Sequence, residues 1–342
     1  MKLINIQIAR GVAAILVVVH HLLLPQLQMV YKNSLFFDYI HLNPLGDFAV
    51  YFFFCISGFV MMFSCSRKKS TSAQFLLDRV FRIYPLYIIC TVGAIVVYAL
   101  TRNELSWLIN INYFPESYAD YISSFLIIPP LWNGESFALP LATAWSLVYE
   151  MFFYLLFAFA LSFISLRNIP FLLLGLFFSS FVVINSIYEP HRYRWVYWPY
   201  IISDFINICF AMGAAIFLVK KHVSFNSALS LASIIGVLIV IVLLPKIYME
   251  RVVLAVLACV CFFLLLHVKP FCGKIAYLFV YLGNASYSIY LTHVVFNSLS
   301  WKFVKISPVF GVGLTIFAIF FGCLIHEFLE KPIARTLTKL RY

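Results

Sequence analysis

Charge is what this sequence lacks. Of its 342 residues only 11% are Asp, Glu, Lys or Arg, against ~25% in an ordinary soluble domain. Acids are scarcer than bases, with 13 Asp and Glu against 24 Lys and Arg. There is no C-x-x-C pair, no Cys/His zinc spacing, no long Lys/Arg tract and no low-complexity segment or internal repeat. Those absences exclude a disulfide scaffold, a zinc module, a nucleic-acid-binding tail and a disordered binder. What is present in excess is apolar. Hydrophobic residues make up 64% of the chain and aromatics 19%, and the mean hydropathy is +0.98. A water-facing fold of this length has too little interior to hide that much apolar surface. The chain reads as an integral membrane protein whose first partner is the lipid bilayer.

A bilayer-spanning helix needs ~20 mostly apolar residues. On that ruler the expected fold is an all-α polytopic membrane protein with about ten transmembrane helices. They fall near 4–24, 47–66, 84–101, 141–166, 169–187, 200–219, 225–244, 252–268, 275–296 and 309–329. The first is expected to stay as a span rather than act as a signal peptide. Arg10 interrupts its apolar run, Pro25-Gln26 ends it, and no small-residue cleavage site follows. The whole chain, 1–342, is expected to form one membrane domain with no soluble domain fused to it.

The excess of bases reads as topology. With the N-terminus in the cytoplasm and ten alternating spans, only Lys32, Arg102, Arg192, Arg194, Lys246, Arg251, Lys302 and Lys305 fall outside. All other Lys and Arg stay inside, as the positive-inside rule requires. Both termini are therefore expected in the cytoplasm. The longest outside loop runs from about Arg102 to Pro140, and the inside loop Arg67 to Pro85 carries five basic residues. The eight cysteines mostly lie in or beside apolar runs and read as packing thiols, with no metal site.

Ionisable groups inside spans are costly and usually face a polar interior. Arg10 and His21 share the first span. Eleven residues at ~100° each bring them within ~20° of one another, ~16 Å apart along the axis. His20 points ~100° away. Arg79 and Arg82, at i and i+3, share a helical face suited to phosphate oxygens, although for the pair taken alone ordinary anchoring on the cytoplasmic side is the better account. Glu150 is a carboxylate in the outer half of the fourth span. Asp47 and Asp204 lie at span edges, where interfacial solvation suffices. His293 closes the ninth span. His326, Glu327 and Glu330, beside Lys331, read as a helix-end ion pair.

The order of these motifs resembles the acyltransferase-3 family of bacterial integral-membrane acyltransferases, which O-acetylate lipopolysaccharide O-antigen and exopolysaccharides. Arg10, ten intervening residues and His21 match its hallmark. YFFFCISGFVMMF (51–63), RVFRIYPLY (79–87), AWSLVYEMFFY (144–154), LGNASYSIYLTH (282–293) and HEFLEKPIAR (326–335) follow in the family's order across nearly the whole chain. Thr292 departs from the Trp that many members carry before the histidine.

The resemblance implies an acyl-CoA co-substrate, usually acetyl-CoA, with no bound cofactor, and a sugar hydroxyl acceptor on a glycan or lipid-linked glycan. It places the protein in the bacterial cytoplasmic membrane. It assigns His21, Arg10 and Glu150 to catalysis, Arg79, Arg82, Tyr84 and Ser57 to the acyl-CoA, and Trp145, Tyr287 and His293 to the acceptor or to support. The chemistry suits these residue types. A hydroxyl attacks a thioester only when a base takes its proton, and imidazole titrates near neutrality. A carboxylate such as Glu150 could orient that imidazole or bind the sugar. The competing class is a multi-span transporter or flippase for a lipid-linked glycan or anion, although the paired, broken helices of two related halves are not found.

Overall fold

The computed structural model describes residues 4–31, 42–68, 70–101, 115, 117–128, 139–187, 198–243 and 251–339. Most of the expected outer loop Arg102 to Pro140, and with it Tyr113, Trp132, Glu104, Glu116 and Glu135, lies outside these residues. The described residues form helices joined by short turns, with no strand among them. The elements that position the site are α1 (Ile4–Leu22), α2 (Leu24–Val30), α3 (Asn43–Lys68), α4 (Ser72–Thr101), α5 (Tyr118–Leu126), α6 (Trp145–Phe163), α7 (Ile169–Ile187), α8 (Trp198–Ser203), α9 (Phe205–Val219), α10 (Ser227–Leu243), α11 (Arg251–Leu265), α12 (Lys274–Asn284), α13 (Ser286–Thr292), α14 (Asn297–Ile306), α15 (Pro308–Ile325) and α16 (Lys331–Lys339).

Seven stretches are long and apolar enough to cross a membrane: Ile4–Val30, Pro44–Lys68, Ser72–Leu100, Ala142–Phe163, Ile169–Ile187, Trp198–Val219 and Pro308–Lys339. The other three expected spans are shorter or interrupted. α10 and α11 have 17 and 15 residues, about 26 and 23 Å at 1.5 Å per residue. The segment expected at 275–296 is split into α12, α13 and a 3-10 turn over His293–Phe296.

Lipid-facing and core-facing sides separate as they must in a bilayer. On α7, Ile169, Leu173 and Phe177 recur every four residues and are buried, while Phe171, Leu172, Phe178, Val182 and Val183 are exposed. The interior rests on close helix approach through glycine, the packing route left when both lipid and side chains are apolar. α3 packs on α9 so tightly that a Cβ on Gly58 would lie 1.9 Å from the Phe210 carbonyl oxygen. A Cβ on Gly213 would lie 1.9 Å from that of Cys55. α1 meets α12 in the same way, Gly283 against the Gln7 carbonyl.

Asp204 is not merely solvated at an interface. It caps α9 by accepting the Ile206 N–H at 3.0 Å, and its other oxygen pairs with Arg251 at 2.5 Å. Arg251 Nε also donates to the Tyr51 hydroxyl at 3.0 Å. One half-buried ion pair thus ties α11 to α9 and α3. Of the cysteines, all free, Cys55, Cys65, Cys209, Cys259 and Cys261 are buried, and Cys272 is exposed.

Candidate functional site

α1 and α2 run beside α13 and α14, and polar side chains link them in three rungs. Arg10 Nη2 donates to Ser286 Oγ at 3.0 Å. His21 Nδ1 meets His293 Nε2 at 3.1 Å. Gln26 Nε2 donates to Asn297 Oδ1 at 3.4 Å. The register follows from the sequence. Arg10 and His21 project from one face of α1, and Ser286, Tyr290, His293 and Asn297 recur at three or four residues along the opposing segment.

The middle rung fixes protons. His293 is fully buried, and its Nδ1 lies 3.1 Å from the Ile289 carbonyl oxygen. A carbonyl only accepts, so Nδ1 of His293 carries the hydrogen and its Nε2 is an acceptor. His21 must then donate through Nδ1, which also lies 3.0 Å from the Val17 carbonyl. In the neutral ring the lone pair of His21 is therefore on Nε2, an assignment made by the hydrogen-bond network. His20 takes no part in the rung. Its ring packs on Gly46, where a Cβ would come within 2.3 Å of it.

Below this rung, on the Arg10 side, lies a chamber of about 120 Å³ lined by Arg10, Arg79, Arg82, Ser57, Ser146, Glu150, Tyr154, Ser286, Tyr287 and Tyr290 among others. That space admits several waters, so its polar groups need not be dry. Three guanidiniums face one carboxylate, and none of the three forms an ion pair among the described residues. Glu150 instead accepts from Ser57 Oγ at 3.4 Å and from the Tyr154 hydroxyl. Arg79 is held between the rings of Phe75 and Tyr154, 5.3 and 5.7 Å from their centroids. A pocket of this size with surplus positive charge suits an anion.

Val60, Arg79 and Arg82 also line a second cavity, so the chamber adjoins a vestibule walled by Lys68, Asp78, Glu330 and the Ile333–Leu337 face of α16. Lys68 and Asp78 pair there at 3.3 Å. At the chamber's other end stands Tyr290. Its hydroxyl lies 2.7 Å from Ser146 Oγ, and its ring is 6.0 Å from that of His293. Vestibule and chamber thus share Val60, Arg79 and Arg82, and Tyr290 stands between the chamber and the imidazole pair, which lines neither cavity.

The acyltransferase domain family matches residues 3–327. The chain belongs to the acyltransferase-3 family. Exopolysaccharide production protein ExoZ of Rhizobium meliloti (strain 1021) is 29% identical over 305 residues, covering 86% of this chain and 92% of that protein. No solved structure matches the chain.

Placed on the structure, the family motifs converge only in part. Arg10, Ser57, Arg79, Arg82, Glu150 and Tyr287 share the chamber. His21 and His293 form the pair beyond Tyr290, so Glu150 is bonded to a serine and a tyrosine and not to an imidazole. Tyr84 is turned from the chamber and donates to the Leu126 carbonyl at 2.6 Å. Trp145 is buried with its ring edge-on to Tyr149, 5.8 Å between centroids. The closing motif holds the expected helix-end pairing and adds a bond from another helix. A π-helical turn over His326–Glu330 joins α15 to α16, and such turns often mark functional sites. Glu327 pairs with Lys331 at 2.5 Å. Glu330 accepts from buried Ser288 and from His326, each at 2.6 Å. Gln26 and Asn297 are absent from the motifs quoted above. Pro25 is the signal that could have found Gln26. Proline has no N–H to give the carbonyl four residues back, and that carbonyl belongs to His21.

Proposed function

We propose that this chain is an O-acyltransferase of the bacterial inner membrane, with ten spans and both termini in the cytoplasm. It moves an acyl group, most simply acetyl, from cytoplasmic acyl-CoA to a hydroxyl of a cell-surface glycan. The observation that carries this reading is the guanidinium-lined chamber and vestibule on the Arg10 side of the His21–His293 pair. The name of ExoZ, an exopolysaccharide production protein, supports a glycan acceptor. Three shorter helical segments supply the remaining spans, which restores the even number that places both termini on one side.

In this reading the donor phosphates rest on Arg82 and Arg79 at the vestibule, and the pantetheine arm threads the chamber past Arg10 toward Tyr290. His21 Nε2 takes the proton of the acceptor hydroxyl as its oxygen attacks the thioester carbonyl carbon. The new C–O bond forms, the C–S bond breaks, and the imidazolium returns the proton to the departing thiolate. The products are the glycan ester and CoA. His293 positions the base by accepting from Nδ1–H, and the Arg10 cation stabilises negative charge along the path.

The test is equilibrium binding of CoA to the purified protein in detergent. Charge-assisted phosphate contacts are worth about 1.5–3 kcal/mol each, so Arg82→Glu should weaken CoA binding by at least ~10-fold. No CoA binding by the unsubstituted protein would overturn the donor assignment.

A further inference from the structure

The third rung differs from the other two because it leaves a buried acceptor unused. Gln26 is 1% exposed. Its Nε2 donates to the His21 carbonyl at 3.2 Å and to Asn297 Oδ1 at 3.4 Å. The first bond has a clear cause: Pro25 cannot supply the helical N–H that the His21 carbonyl would otherwise receive. Both targets are oxygens, so the nitrogen of the amide must face them, and flipping it would set oxygen against oxygen. The remaining atom, Oε1, is buried and has no hydrogen-bond partner among the described residues. The fold needs only the donors of this side chain. A buried carbonyl left unpaired costs stability, so the unused Oε1 calls for a partner of its own.

Its place along the ladder indicates what it serves. Arg10 lies eleven residues before His21 on the donor side, and Gln26 lies five residues after it, with half-buried Asn297 alongside. Whatever pairs with Oε1 must donate a hydrogen, and a polyol presents such groups next to the one that reacts. Resting on the acyl-transfer reading above, we propose that Gln26 and Asn297 form the acceptor subsite. Gln26 Oε1 accepts from a sugar hydroxyl neighbouring the one that His21 deprotonates, and the Asn297 amide supplies the complementary donor.

Membranes of glycan-producing cells, given radiolabelled acetyl-CoA, report two products: label in glycan ester and label in free acetate. Free acetate is counted above the level given by His21→Ala. Water needs no sugar subsite but does need a correctly placed His21. Gln26→Met keeps the shape of the side chain and removes its polar atoms. Glycan label should fall at least ~10-fold and free acetate should stay within ~2-fold, both normalised to folded protein because the His21 and Asn297 oxygens lose their donor. Asn297→Leu, which leaves the Gln26 bond to the His21 carbonyl intact, should give the same split and decides the matter if the first variant fails to accumulate. Equal loss of both products, or undiminished glycan label, overturns the subsite. Neither product from the unsubstituted protein overturns the acyl-transfer reading instead.

Discussion

Replacing His293 with phenylalanine keeps an aromatic ring in the buried site and deletes the acceptor that receives the His21 hydrogen. The structure sets the size of the effect. His21 Nδ1 is shared between His293 Nε2 at 3.1 Å and the Val17 carbonyl at 3.0 Å, so one acceptor survives. One neutral hydrogen bond is worth about 0.5–1.5 kcal/mol net, which is about 2- to 13-fold in rate. Val17 still holds the hydrogen on Nδ1, so the loss should fall well short of the ~10⁴-fold that a wrong tautomer costs a serine protease triad. Misalignment of the ring could extend it to ~10². The larger Phe ring also overpacks a site with no exposed surface, at about 1–3 kcal/mol of stability. The assay is the initial rate of label transfer from acetyl-CoA to glycan, normalised to folded protein, with the melting temperature measured alongside. A rate within twofold of the parent would remove His293 from the mechanism. A loss as complete as that of His21→Ala would make His293 itself the base.

Glu150→Gln removes the one carboxylate among the chamber's described lining residues while keeping an oxygen for Ser57 and Tyr154. With no imidazole bonded to it, turnover should change by less than ~10-fold, and acyl-CoA should bind several-fold tighter because the pocket gains positive charge. A ~10²-fold loss of turnover at unchanged acyl-CoA affinity would return Glu150 to proton transfer. Gly213→Ala should lower the melting temperature in detergent by forcing α3 from α9, since its Cβ would sit 1.9 Å from the Cys55 carbonyl oxygen. Gly175→Ala, where nothing lies within 4 Å, should be neutral, and equal behaviour of the two would argue against the close approach.

Much of the scaffold is legible in the sequence because hydropathy over ~20 residues is a strong signal. Every apolar run from 4–24 to 309–329 contains helix, and the ~20° match of Arg10 with His21 places both on the face that meets α13. The partners are less legible. Glu150 reads as a candidate to orient His21, yet α6 brings it to Ser57 and Tyr154, while the imidazole partner comes from a residue 272 positions away. His326, Glu327 and Glu330 read as a helix-end ion pair, which Glu327 forms with Lys331 and Glu330 with His326, but the bond from Ser288 to Glu330 across helices is not legible. Asp204 gains Arg251 across helices. In each case local spacing was sound, and the missing information was which helices pack together. The count of ten spans suffers from the opposite problem, since periodicity does not show that residues 275–296 break twice.

The central claim is that His21, and not the adjacent His20, removes the acceptor's proton. It is tested most directly by the transfer of label from acetyl-CoA to glycan in membranes carrying His21→Ala or His20→Ala at matched expression. His21→Ala should lose transfer by at least ~10²-fold, in the range expected for a positioned base. His20→Ala, which removes a ring packed on Gly46 and edge-on to His21, should keep most of it. Retained transfer in the His21 variant, or its loss in the His20 variant alone, would contradict the account.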